Sequence, residues 1–124
     1  MNKKDAIAYI NKTYGGDLNN TNTSFASVSI SKSKAVWWTT VPVHKFNDPV
    51  HLLFNTTDEV IWIELPKNFV LNLSDKFKIR QDINAVDIEV WAKDDEQYMK
   101  DVKSGGTGFD FKPFVKERIG KKNK

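Results

Sequence analysis

Val60-Ile61-Trp62-Ile63-Glu64-Leu65 is the stretch on which the fold turns. It is apolar and rich in β-branched residues, with a turn over residues 56–59 before it and Pro66-Lys67-Asn68 after it. It therefore reads as a strand. Side chains alternate across a strand, so Ile61, Ile63 and Leu65 share one face while Val60, Trp62 and Glu64 share the other. The run from Val86 to Ala92 repeats the arrangement, with Val86, Ile88, Val90 and Ala92 opposed to Asp87, Glu89 and Trp91. The two segments are expected to lie side by side in one sheet, their indoles and acids on a common face.

Outward from these strands, residues 2–14 read as a helix. Ala6, Ile7, Ile10 and Tyr14 recur at three- and four-residue spacing, Asn2 can cap, and Gly15-Gly16 stops the run. Alternation marks residues 24–31 as a strand, joined by a hairpin at Lys32-Ser33-Lys34 to a second one from Val36 to Val43. Trp37 and Trp38 must face opposite sides of that strand, so one enters the core and the other needs separate cover. Residues 50–55 form a further strand. Phe69, Leu71 and Leu73 suggest another, with a short turn capped by Ser74 and carrying Phe77 as the alternative.

Asp94 opens a second helix over 94–103, with Gln97 at the capping-box position, and Gly105-Gly106 closes it. Phe109 to Ile119 is expected to be a short extended piece followed by a turn of helix. The fold class is α+β: a mostly antiparallel or mixed sheet of about five to six strands with the two helices packed on it.

The chain has 124 residues, of which 40% are hydrophobic and 12% aromatic, enough to bury one core without staples. A single globular domain over 1–120 is expected, followed by a disordered basic tail over 121–124. No cysteine is present, which excludes disulfides and thiolate chemistry. No window approaches the roughly 18 apolar residues of a membrane span, and residues 6–10 are too short and polar for a signal-peptide core. The expectation is a soluble, cytoplasmic protein with no membrane partner. The net charge of +3 leans toward an anionic partner. Lys121, Lys122 and Lys124 account for that excess.

Lysines interleaved with aromatics are the ingredients of single-strand nucleic-acid binding. They occur as Lys32, Lys34, Trp37 and Trp38, and again as Lys76, Phe77, Lys78 and Arg80. A sheet presenting these would stack bases on indoles and neutralise phosphates with ammonium and guanidinium groups. The first functional expectation is accordingly a small nucleic-acid-binding module, without a cofactor, using Lys32, Lys34, Trp37, Trp38, Lys76, Lys78 and Arg80.

An alternative is a metal-dependent nuclease. Glu64, Asp87 and Glu89 on neighbouring strands would supply hard oxygen ligands for Mg²⁺, with Lys93 orienting a phosphate or water. Nucleases of this outline place the lysine two residues after the acid on the same strand, where this chain has Trp91 and Pro66. A third expectation is a protein-interaction or assembly subunit, binding another protein or itself through Trp37, Trp62 or Trp91.

His44 and His51, with Asp48 between them, offer two metal ligands and lack a clear third. The Ser104–Gly108 loop follows its helix instead of preceding it, the wrong order for a phosphate cradle. No Ser-His-Asp set or dinucleotide fingerprint is legible, so binding is expected over catalysis.

Overall fold

A computed structural model describes residues 1–31 and 34–121. It contains a helix α1 (Lys3–Tyr14) and eight strands: β1 (Thr23–Ser27), β2 (Ser29–Ser31), β3 (Lys34–Pro42), β4 (Val50–Asn55), β5 (Glu59–Leu65), β6 (Lys78–Arg80), β7 (Ala85–Trp91) and β8 (Val115–Gly120). The strands form two sheets of four, ordered β1-β4-β5-β8 and β2-β3-β7-β6. All pairings are antiparallel except β1 with β4, which makes the first sheet mixed. The α+β class with a mostly antiparallel arrangement holds, but the strands divide between two sheets instead of filling one.

That division overturns the expected pairing of the two organising strands. β5 is flanked by β4 and β8, and β7 by β3 and β6. The reason lies in their apolar faces. Ile61, Ile63 and Leu65 of β5 meet Val86, Ile88 and Val90 of β7 across a shared core, together with Trp37, Leu52 and Phe54. Two strands that each carry one strongly apolar face bury more surface stacked face to face than placed edge to edge. Their opposite faces consequently point away from each other.

The outer face of the first sheet has a second apolar cluster. Leu53, Val60, Trp62 and Ile119 pack there under Ala6 and Ile10 of α1, giving a helix, sheet, sheet layering. Asn2 caps the helix by accepting from the Asp5 N–H at 2.9 Å, and Gly15 ends it at φ 67° with its N–H bonded to the Asn11 carbonyl.

The run read as one strand over 24–31 is broken at Val28, where the chain leaves the first sheet for the second, with the Val28 N–H held by the Asn55 carbonyl. Segment 69–73 is not a strand. A 3₁₀ turn forms over Leu73–Asp75, and Phe69 and Phe77 join an aromatic cluster with Phe109, Phe111 and Phe114. The close of the chain is also corrected: a 3₁₀ turn over Lys112–Phe114 leads into a strand, β8, and not into a helix.

The expected helix over 94–103 is a series of turns. Tyr98 and Lys100 donate only three residues back, to Asp95 and Gln97, and Met99 takes φ 67°. Two competing partners explain this. Asp95 Oδ1 accepts from the Gln97 N–H, a local bond that rivals the helical ladder, and the Met99 N–H turns to the Trp91 carbonyl so that its side chain enters the core. Residues 100–102 then run beside the second half of β7, continuing the position of β6, with Trp91 N–H to Lys100 O and Val102 N–H to Glu89 O. At the other end of the chain, the expected tail includes one residue that is held. Lys121 donates its N–H to the Asp58 carbonyl, and its ammonium is bonded to Asn55 and Thr56.

Candidate functional site

The outer face of the second sheet carries most of the residues that the lysine and aromatic pattern singled out. On β3, register with β7 pairs Trp37 with Val90 and Trp38 with Glu89. Trp37 therefore points into the core with Val90, and Trp38 points out with Glu89. Trp37 is 1% exposed, its ring stacked 4.9 Å from Phe54 and its Nε1–H given to the Asn55 carbonyl. It is unavailable to a ligand, which corrects its assignment as a binding residue. Trp38 is 52% exposed.

Around Trp38 the sheet assembles cations. Lys34 lies on the same strand, four residues before it, and Lys78 and Arg80 project from β6 opposite Asp87 and Ala85 of β7, on the same outward side. Lys103, brought in by the turn after residues 100–102, approaches Asp87 Oδ2 at 3.4 Å. The sequence carries no signal for Lys103, because nothing local distinguishes a lysine at a loop end that folds onto a sheet from one that faces water.

Two carboxylates organise this face. Asp87 is buried and accepts from Trp38 Nε1–H at 2.7 Å and Thr40 Oγ1–H at 3.3 Å, besides its pair with Lys103. A buried carboxylate is tolerable only with such a set of donors. The bond from Trp38 pins the indole, leaving its exposed face fixed. Glu89 holds Lys34 at 3.0 Å. Lys78 forms no ion pair among the described residues, and its stem packs under Gly105. Arg80 is paired with Asp82 at 2.9 Å, a contact that raises its pKa further.

Beneath the face lies Asp101, buried, with Oδ1 accepting from the Glu89 and Lys103 N–H groups and Oδ2 without a hydrogen-bond partner among the described residues. Burial pushes its pKa up, against the effect of its two backbone donors.

Lys76 is exposed just before β6, where its carbonyl receives the Thr107 N–H and hydroxyl. Lys32 lies outside the described residues. Trp91 also points outward, but its Nε1–H is bonded to Asp95 and the Lys93 ammonium stands 5.7 Å from its ring centre.

The alternative acidic set is not brought together. Glu64 lies on the outer face of the first sheet, opposite His51 on β4, while Asp87 and Glu89 lie on the outer face of the second, with the core between them. Lys93 follows β7, on the second sheet. Carboxylates on opposite sides of a two-sheet core cannot share one Mg²⁺ with bonds of about 2.1 Å. Trp62, expected to share a face with Trp91, is instead 4% exposed beneath α1. Among the described residues no group of three or more His, Cys, Asp or Glu side chains is placed to hold a metal ion. The Ser104–Gly108 loop follows a turn, and Gly106 packs on Asp101. The chain matches no family model, no curated protein and no solved structure with which it was compared.

Proposed function

We propose that the outer face of the second sheet binds single-stranded nucleic acid, one base stacking on Trp38 and the adjoining phosphates lying against Lys34, Lys78, Arg80 and Lys103. The observation that carries this reading is the pinned, half-exposed indole of Trp38 standing among those four cations. A flat aromatic surface accepts any base, and Lys34 on the same strand together with Lys78 and Arg80 on β6, across β7, lie where a backbone would cross the sheet. Asp87 and Glu89 serve this arrangement by fixing the indole and two of the lysines in place. A phosphate would compete with Glu89 for Lys34, which is exposed, whereas the Asp87 network is sheltered and stays intact.

A single stacking platform implies modest affinity. Base stacking on one aromatic contributes about 1–3 kcal/mol, so Trp38→Ala is expected to weaken binding about 5- to 150-fold. Each phosphate neutralised on a single strand adds about −0.7 to the slope of log K against log salt. Fluorescence anisotropy of labelled oligo(dT) and oligo(U) at low and moderate salt tests this directly. Binding that weakens with salt, and whose slope flattens by about 0.7 in Lys78→Ala, supports the reading. Absence of binding at low salt, or binding unaltered by Trp38→Ala, would discard it.

A further inference from the structure

The helix α1 covers only part of the outer face of the first sheet. Where it ends at Tyr14, the sheet lies open as a cleft of about 780 Å³, a size typical of small-ligand sites. Its floor is formed by His51 of β4 and Glu64 directly opposite on β5. Trp62, Tyr14 and Lys116 of β8 also line it, with the loop over residues 15–22 as a rim. The rim is built: the Asn11 side chain bonds both the N–H and the carbonyl of Leu18, and Asn19 and Asn22 cross-bond the rest of the loop.

His51 decides what this cleft recognises. The residue is 5% exposed, and its Nδ1 accepts from the Trp62 Nε1–H at 3.0 Å. A neutral imidazole has one donor and one acceptor, so a ring whose Nδ1 accepts must carry its proton on Nε2. Burial favours that neutral form by depressing the pKa, against the opposing influence of Glu64 and Asp17. The Nε2–H has no acceptor among the described residues, yet it is not sealed from solvent, so it belongs to the cleft that the ring lines. An Nε2 that carries a proton can neither ligate a metal nor act as a base. It can only donate.

Beside this donor stands an acceptor. Paired residues on adjacent strands have Cβ atoms about 4.5–5.5 Å apart, which places the Glu64 carboxylate next to the imidazole. Lys116 holds one Glu64 oxygen at 3.4 Å and stands 5.7 Å from the Trp62 ring centre. An anionic ligand would be opposed by Glu64 and by Asp17, Asp48 and Glu117 at the rim. A cationic one would be drawn by those carboxylates, but at the floor it would meet Lys116 and an imidazole N–H that only donates, and would leave that donor unpaired. A neutral molecule with neighbouring hydroxyls meets both, since each hydroxyl donates and accepts. Tyr14, 40% exposed at the mouth, adds an apolar ring against which C–H groups can lie.

We infer that this cleft binds a neutral carbohydrate, one hydroxyl accepting from His51 Nε2–H and its neighbour donating to Glu64, with a C–H face against Tyr14. The cleft and the Trp38 face lie on opposite sides of the molecule, so either reading can fail alone.

The test uses the full chain on an array of immobilised neutral oligosaccharides, followed by NMR titration of a retained sugar while watching the indole N–H resonances. Retention of at least one glycan, with a shift of the Trp62 Nε1–H signal and not that of Trp38, is expected. Glu64→Ala should weaken that binding roughly tenfold or more, as loss of a hydrogen bond to a charged group does. Tyr14→Ala, a change at an exposed side chain, should weaken it several-fold and keep the fold, while Trp38→Ala should leave it unchanged. A blank array with folded protein overturns the inference. So does a Trp62 shift produced by butylammonium or sulfate in place of any sugar.

Discussion

Trp37 and Trp38 are neighbours in the chain and end in opposite surroundings, Trp37 stacked 4.9 Å from Phe54 between the sheets and Trp38 half-exposed on the outer face with its N–H on Asp87. The alternation of a strand enforces this divergence, and the two residues therefore separate core packing from the proposed binding face. Trp37→Ala is expected to cost about 3–5 kcal/mol through lost burial and the cavity left behind. Trp38→Phe should cost less, about 1.5–3 kcal/mol for one bond to a carboxylate, and retain a stacking surface. Urea denaturation of both variants, beside their oligonucleotide affinities, measures the contrast. Equal destabilisation would mean that Trp38 is a core residue in solution.

Asp101 makes a prediction about pH. Its folded-state pKa lies above the ordinary carboxylate value of about 3.9 because it is buried. Between the unfolded and folded values the folded state binds more protons, so stability falls as pH rises through that window. Asp101→Asn retains an acceptor for the Glu89 and Lys103 N–H groups without titrating. The stability of Asp101→Asn relative to the unsubstituted protein should thus increase from pH 3 to pH 7, as read from urea midpoints. A constant difference would show that the carboxylate is not perturbed.

His51 behaves in the opposite sense. Burial depresses its pKa, so below the ordinary histidine value of about 6.5 the unfolded chain takes up a proton that the folded protein resists. The stabilising effect of neutral His51 is complete above that value and declines as pH falls toward the folded pKa. Protonation also ends the acceptance from Trp62 Nε1–H. Thermal melts of His51→Gln and the unsubstituted protein should show a stability difference that narrows between pH 7 and pH 5, accompanied by a change in the Trp62 indole N–H resonance. A difference independent of pH would place His51 in water.

Gly106 is required by its contacts and not by its backbone angle. A Cβ there would stand 2.6 Å from Asp101 Oδ2 and 3.2 Å from the Lys103 carbonyl oxygen. Gly106→Ala should destabilise by about 1–3 kcal/mol through overpacking. Gly108, with a positive φ of 78° but open space around it, should suffer only the smaller cost of a strained backbone when changed to Ala. Comparing the two melts distinguishes close packing from strain.

Local order was legible where local chemistry decides it. Asn2 as a cap, Gly15 as a stop, the strand at β4 and the alternation of β5 and β7 all follow from side-chain chemistry within a few residues. Lys34, Trp38, Lys78 and Arg80 could be picked out as basic and aromatic residues for the same reason. The helix expected over 94–103 failed because Asp95 offers a rival local acceptor and Met99 is drawn into the core. Neither influence appears in hydrophobic periodicity.

The sequence by itself determined which residues alternate, where the chain turns and that one helix precedes a set of strands, since these depend on backbone sterics and short-range hydrogen bonds. Only the tertiary structure decided that β5 and β7 stack face to face instead of pairing edge to edge, because that choice maximises apolar burial between distant segments. With it came the separation of Glu64 from Asp87 and Glu89, the burial of Trp62, the meeting of Lys103 with Asp87 and the cleft over His51. Each is a relation between segments far apart in the chain, set by how whole faces fit together and not by any residue's neighbours.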